Sequence, residues 1–129
     1  MKINVMTLTN GELKKIEIEN NLSSLQNLVG GYIEIPCLSE RLTAQKIITI
    51  INEEGKFLDL TPEIACVYDG KLHDIVFGTV IFASTDYEGN TLGLNTEQME
   101  YIKNELRNDA IVHLRNRNKT YMLKVLQFE

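Results

Sequence analysis

The sequence predicts a single α+β domain: a mostly antiparallel β-sheet of about six or seven strands, two principal helices packed on it, and a C-terminal β-hairpin. Three observations carry that expectation. Alternating runs flank an Asn10-Gly11 dipeptide near the start. Two runs place apolar residues at helical spacing behind a capping residue: Leu22, Leu25, Leu28 and Val29 after Asn20-Asn21, and Met99, Ile102 and Leu106 after Asn95-Thr96. Two strand-like runs close the chain around Asn116-Arg117-Asn118-Lys119.

In order along the chain, Ile3, Val5 and Thr7 alternate with Asn4, Met6 and Leu8, and Leu13 to Ile18 follows the turn. Asn-Gly supplies the positive backbone angles of a tight hairpin. Asn20 or Asn21 caps the first helix, because its side chain accepts from free first-turn amides. Gly30 or Gly31 closes it in the left-handed conformation. One glycine suffices for that cap; the second lets the backbone approach either a neighbouring strand or a ligand such as a phosphate. Tyr32 to Leu38 reads as a strand that Pro36 marks as edge or end. Ser39 to Gln45 reads as a polar connection, and Lys46 to Asn52, rich in isoleucine, as a buried central strand. Asn52-Glu53-Glu54-Gly55-Lys56 is a turn. Thr61-Pro62-Glu63 reads as the start of a short helix ending near Tyr68-Asp69-Gly70. Ile75 to Ser84 reads as one strand with Gly78 as a bulge or close-approach site, and Asp86 to Asn90 as a surface loop. The second principal helix runs to about Asn108, and strands 110–115 and 120–128 form the terminal hairpin. Residues 1–129 form one domain, with 1–108 as its body and 109–129 as the hairpin.

A 129-residue chain that is 43% hydrophobic and 24% charged suits one soluble domain with a real core and excludes a disordered chain. No apolar run reaches the roughly 18 residues of a membrane span, so no membrane is expected. The start, Met1 to Met6, shows no long apolar core followed by a cleavage site, so no secretory signal is expected. Cys37 and Cys66 form no C-x-x-C, which favours two reduced, buried thiols in a cytoplasmic protein over a disulfide or a reactive thiol. The net charge of −5 is uneven. Residues 103–124 carry +4, whereas 53–100 carry −8. Such asymmetry can steer partners or bring copies together, although a solvated surface is the default.

The residue patterns of metal and nucleophile chemistry are weak. His73 and His113 lie in no ligand spacing, no Ser sits in a G-x-S-x-G elbow, and no P-loop or dinucleotide fingerprint occurs. No catalytic residue, metal site or cofactor is expected. The basic hairpin offers more: Arg115, Arg117 and Lys119 surround a tight loop, with Tyr121 on the next strand. Arginine forks suit phosphates and a Tyr ring can stack a base, while a charged edge also protects against aggregation. The acidic remainder argues against polymeric nucleic acid. Candidate ligand-binding residues are therefore Gly30, Gly31, Tyr32, Lys56, Arg115, Arg117, Lys119 and Tyr121.

Leu25 to Glu34, Asn52 to Lys56, Asp74 to Thr79 and Leu94 to Gln98, in that order, resemble a domain of unknown function, DUF3846, over roughly residues 1 to 105. The family is found in phages and mobile elements of bacteria. The resemblance implies no activity and transfers no catalytic residue. Its shared positions are Gly30, Gly31, Tyr32, Glu34, Asn52, Glu54, Gly55, Lys56 and Gly78, which mark either a surface or the fold. The stretch Leu58 to Tyr68 departs from the family pattern, and the hairpin after residue 109 reads as an extension. That context gives the functional expectation: a small non-enzymatic, cytoplasmic counter-defence protein that sequesters a signalling nucleotide or blocks a host defence protein, and that forms a homo-oligomer. The alternatives are a structural or regulatory homo-oligomer without a ligand, and a nucleotide-modifying enzyme.

Overall fold

In the computed structural model, which describes residues 1–129, the chain runs β1 (Lys2–Thr9), β2 (Glu12–Glu19), α1 (Leu22–Val29), β3 (Ile33–Glu34), α2 (Glu40–Ala44), β4 (Ile47–Asn52), β5 (Pro62–Tyr68), β6 (Lys71–Phe77), β7 (Val80–Thr85), β8 (Thr91–Leu92), α3 (Thr96–Glu105), β9 (Asp109–Leu114), a 3-10 turn (Arg115–Arg117) and β10 (Lys119–Gln127). The α+β class, the antiparallel character and the terminal hairpin are as the sequence predicts. The strands, however, divide between two sheets. The first is ordered β2-β1-β7-β4-β3, with β8 on β7; the second is ordered β6-β5-β10-β9.

Local chemistry explains most elements. Both two-residue hairpin turns have positive φ at each central residue, Asn10-Gly11 at 52° and 78° and Asp69-Gly70 at 51° and 73°. That geometry matches the twist of the strands they join. Asn21 caps α1 by accepting from Ser24 N–H at 2.8 Å. Asn95 and Gln98 form a reciprocal capping box at the start of α3.

The first sheet is covered on both faces. Ile3, Val5, Ile50, Ile81 and Ala83 pack under α1 through Leu25 and Val29. On the opposite face, Met6, Leu8, Ile47, Val80 and Phe82 meet Ile64, Cys66, Val76 and Leu126 of the second sheet, with Leu42 of α2, Ile102 of α3 and Leu106 at the C-cap of α3. Phe82, fully buried, lies in this inter-sheet core, where a side chain of that size stabilises by roughly 2–3 kcal/mol.

Several expectations are corrected. Residues 61–68 are not a helix. Pro62 opens β5, a position where its missing N–H costs no ladder bond, and the Asp-Gly turn folds β5 onto β6. Ser39 to Gln45 is not a plain connection: Ser39 caps the short helix α2, its Oγ accepting from Leu42 N–H at 3.3 Å. The strand after Gly31 shrinks to Ile33–Glu34 ahead of Pro36. Residues 75–84 are two strands in different sheets, and Gly78, at φ 92°, carries the chain between them. Helix α3 stops at Glu105 rather than near Asn108. Both cysteines are free, but only Cys66 is buried, and burial pushes its thiol up to about 12; Cys37 is exposed.

Candidate functional site

The turn after β4 is built around one buried side chain. Asn52 donates from Nδ2 to Val29 O at 3.0 Å and accepts at Oδ1 from Glu54 N–H at 2.8 Å. It thereby ties the end of α1 to the turn that follows β4. Glu53 N–H donates to Tyr32 O at 3.0 Å, which fastens β3 to the same corner. The turn then winds on through bonds from Leu58 N–H to Glu54 O at 2.9 Å and from Leu60 N–H to Gly55 O at 3.2 Å. Gly55 lies so close to Phe77 O that a Cβ there would collide with backbone. The turn is therefore pressed against the end of β6, and any side chain at Gly55 would lift it away.

Between this turn, β3 and β6 lies a cleft of about 290 Å³ at the seam of the two sheets. Leu38, Ile51, Val76 and Phe77 give it apolar walls, and Glu34, Glu53, Lys56 and Asp74 give it polar groups. Lys56 Nζ pairs with Asp74 Oδ1 at 2.7 Å, and Ile75 N–H donates to the same oxygen at 2.8 Å. Phe57, next to Lys56, also borders the cleft and is 90% exposed. A phenyl ring left in water next to a walled apolar space is a surface that binding would cover.

The turn is held from the other side by Arg117. Its side chain is 13% exposed, Nη2 pairs with Asp59 Oδ1 at 2.6 Å, and the guanidinium lies 4.9 Å from the centre of the Phe77 ring and 6.0 Å from that of Tyr121. Its Nε is buried without a partner. The guanidinium face is thus engaged by rings and one edge by a carboxylate, so Arg117 acts on the cleft through the turn it holds.

The other expected site residues fall in three places. Lys56, Arg117 and Tyr121 come together around Phe77 and the turn. Gly30, Gly31 and Tyr32 lie at the far side of Asn52 and line, with Gln26 and Asn27, an open depression. There Gly30 adopts φ 79° as the helix C-cap, and both Gly30 N–H and Gly31 N–H donate to Gln26 O, at 2.8 and 3.1 Å. Neither amide is left over for a phosphate. A Cβ on Gly31 would stand 2.9 Å from Asn52 Nδ2, so the close approach there is to a side chain of the protein's own turn. Lys119 lies 5.5 Å over the Tyr121 ring, and Arg115 stands exposed at the hairpin tip. Phe57 and Asp59 are not among the residues singled out from the sequence, and Asp74 and Phe77 appear there only within the Asp74–Thr79 stretch that resembles the family. The available signal was Lys56-Phe57 directly after a glycine turn, where a large aromatic continues no helical or alternating pattern.

Elsewhere, no three His, Cys, Asp or Glu side chains stand close enough together to hold a metal ion. Glu63 is buried and accepts from Asn10 and Gly11 N–H, at 2.7 and 2.9 Å, so it anchors the β1–β2 turn. Part of the basic C-terminal segment is consumed internally: besides Arg117–Asp59, Lys124 pairs with Asp109 at 3.0 Å and Lys103 with Glu100 at 3.3 Å. No helix is long and apolar enough to cross a membrane.

Comparison with known proteins agrees with the motif order. No curated protein and no solved structure matches the chain. The model of one family, a domain of unknown function (DUF3846), matches residues 1–107. That stretch includes α1, the double glycine, the Asn52 turn and the cleft, and it stops just before β9. The chain belongs to the DUF3846 family.

Proposed function

We propose that the protein is a non-enzymatic binding protein whose inter-sheet cleft takes a nucleotide-type ligand. The observation that carries this reading is Phe57, 90% exposed at a cleft that also presents Lys56 and the carboxylates of Glu34, Glu53 and Asp74. A base can stack on the ring and donate its N–H groups to Glu34 or Glu53, while Lys56 exchanges its exposed pair with Asp74 for a phosphate. The polar groups of the cleft are mostly acidic, which favours a ligand with few phosphates over a polyphosphate. In a phage or mobile element, the setting the family resemblance suggests, sequestering such a signal would blunt a host defence that depends on it.

The test is native mass spectrometry and calorimetry of the protein with linear, cyclic and ADP-ribose-type nucleotides. A discrete, stoichiometric mass addition is expected, and Phe57→Ala should weaken binding by about 10-fold or more, the scale of one lost base–aromatic stack. Absence of any addition, or undiminished affinity in Phe57→Ala, would remove the cleft from this role. A host defence protein is the second reading, favoured by Leu58, 52% exposed next to Phe57, which makes the pair an apolar anchor for a protein surface. It would be marked by capture of a host protein that Phe57→Ala abolishes while no nucleotide binds.

A further inference from the structure

Each sheet ends in two edge strands, and three of the four edges are blunted. The β2 edge carries Glu12, Lys14, Lys15, Glu17 and Glu19. The β3 edge is two residues long and runs into Pro36. The β6 edge is irregular, with register shifts against β5, and carries Lys71 and Asp74. Charge, brevity, proline and bulges are the devices that keep an edge from pairing with another chain. The fourth edge, β9, has none of them beyond its first residue. Asp109-Ala110-Ile111-Val112-His113-Leu114 pairs with β10 without a register shift and contains no Lys, Arg or Pro.

The ladder identifies which groups on that edge are free. Val125 N–H donates to Asn108 O at 2.9 Å, so 108 and 125 occupy a hydrogen-bonded position. Such positions alternate along an antiparallel pair. Residues 110, 112 and 114 therefore exchange bonds with β10, and residues 109, 111 and 113 turn N–H and C=O outward. The side chains of Asp109, Ile111 and His113 share one face with their β10 neighbours Lys124, Met122 and Thr120. On it Ile111 is 73% exposed and Met122 67% exposed.

We propose that β9 is a homodimer interface, on which a second copy of this chain pairs antiparallel about a two-fold axis at Ile111. In that register Ile111 opposes Ile111, and Asp109 opposes His113 twice. In these pairs every residue is one whose N–H and C=O point outward, and Ala110 and Val112 oppose each other at the non-hydrogen-bonded positions between them. The two Ile111–Met122 pairs merge into one apolar patch. His113 Nδ1 is engaged by the Thr120 hydroxyl at 3.0 Å, which leaves Nε2 to face the partner's Asp109, whose Oδ1 pairs with Lys124 at 3.0 Å and whose other oxygen serves the histidine. The edge is thus complementary to itself in backbone bonding, apolar contact and polar pairing. The two four-stranded sheets become one continuous sheet. This surface lies on β9, and the inference is independent of what the cleft binds.

Sedimentation of the full chain at ~100 µM tests it, because a dimer of modest affinity is populated only at high protomer concentration. The expected mass is twice 14.7 kDa. Ile111→Lys, at a position already exposed, should keep the wild-type circular dichroism and raise the dissociation constant at least ~10-fold, through like charges facing each other on the axis. Register is read by cross-linking in a Cys37→Ser background. Ile111→Cys should form a disulfide-linked dimer under mild oxidation, since facing hydrogen-bonded pairs hold Cα atoms about 5.5 Å apart. His113→Cys should not. A monomer at ~100 µM, a dimer that survives Ile111→Lys, or equal cross-linking of the two cysteine variants would overturn the proposal.

Discussion

Gly31 and Asn52 act as one unit. The glycine leaves room for the Asn52 amide, and that amide satisfies Val29 O and Glu54 N–H together. Asn52→Ala leaves both groups without a partner in a buried corner and should lower stability by about 2 kcal/mol. Gly31→Ala should cost about 1–2 kcal/mol by displacing the same amide. Because the two share one contact, the double variant should cost clearly less than the two losses added, and urea titration of the four proteins decides it. Two carboxyl groups give the stability a pH dependence of opposite sign. Burial pushes Glu63 above its ordinary 4.5, against the pull of the Gly11 and Asn10 amides. The folded state holds that proton more tightly than the unfolded chain does. Its contribution is therefore full below 4.5 and is lost as pH rises through the folded value. The side chain and backbone of Asn90 hold Asp86 below its ordinary 3.8. That contribution is present above 3.8 and is lost as pH falls through the lowered value. Glu63→Gln should flatten the stability curve above 4.5 and leave the acid limb set by Asp86 in place, as read from urea midpoints across pH.

The turn between β4 and β5 is the element on which the cleft depends, and Arg117 holds it from the neighbouring hairpin. A surface ion pair alone contributes about 0–1 kcal/mol. Here the guanidinium also covers the Phe77 ring, and the side chain is only 13% exposed, so packing carries much of the effect. Arg117→Ala should lower stability by about 1–2 kcal/mol and speed amide exchange at Leu58 and Leu60, whose bonds close the turn. Arg117→Lys keeps the charge but not the planar stack, and it should behave like the alanine variant. If lysine restores slow exchange, the charge pair with Asp59 is what holds the turn.

For the whole molecule, the family-matched stretch and the folding unit do not coincide. Residues 1–107 match the family, yet β10 lies in the interior of the second sheet, parallel to β5 and antiparallel to β9. Leu123 and Leu126 on it are buried, and Leu126 belongs to the core between the sheets. A chain cut after Asn108 would expose the edge of β5 and the inter-sheet core to water. It should show no cooperative thermal transition and should aggregate, whereas the full chain should unfold in one step. A cooperative transition in the shortened chain would show that β1 to α3 suffice. The pairing that joins the ends is long in sequence, Lys124 against Ile64, so the second sheet should complete late in folding.

The sequence alone determined the parts governed by near neighbours. Asn10-Gly11 set a hairpin, Asn20-Asn21 and Asn95-Thr96 set helix starts to within a residue, Gly30-Gly31 set a helix end, and the terminal hairpin followed from two strand-like runs around a polar tip. The α+β class and the family followed from the order of these pieces. Tertiary structure decided what depends on distant partners. Residues 62–68 read locally as a helix start, but between β6 and β10 their Ile, Ala, Cys and Val side chains fill a buried strand. The division into two sheets at Gly78 has no local signature, because a single glycine in an apolar run also fits a bulge. The candidate site was legible only in pieces for the same reason. Lys56, Arg117 and Tyr121 were visible as residues suited to a ligand, but Asp59 and Phe77, which bind Arg117 into the structure, lie 58 and 40 positions away along the chain. Short-range hydrogen bonds are specified by adjacent residues. The burial of a strand and the partner of a charge are set by whichever surfaces the folded chain brings against them.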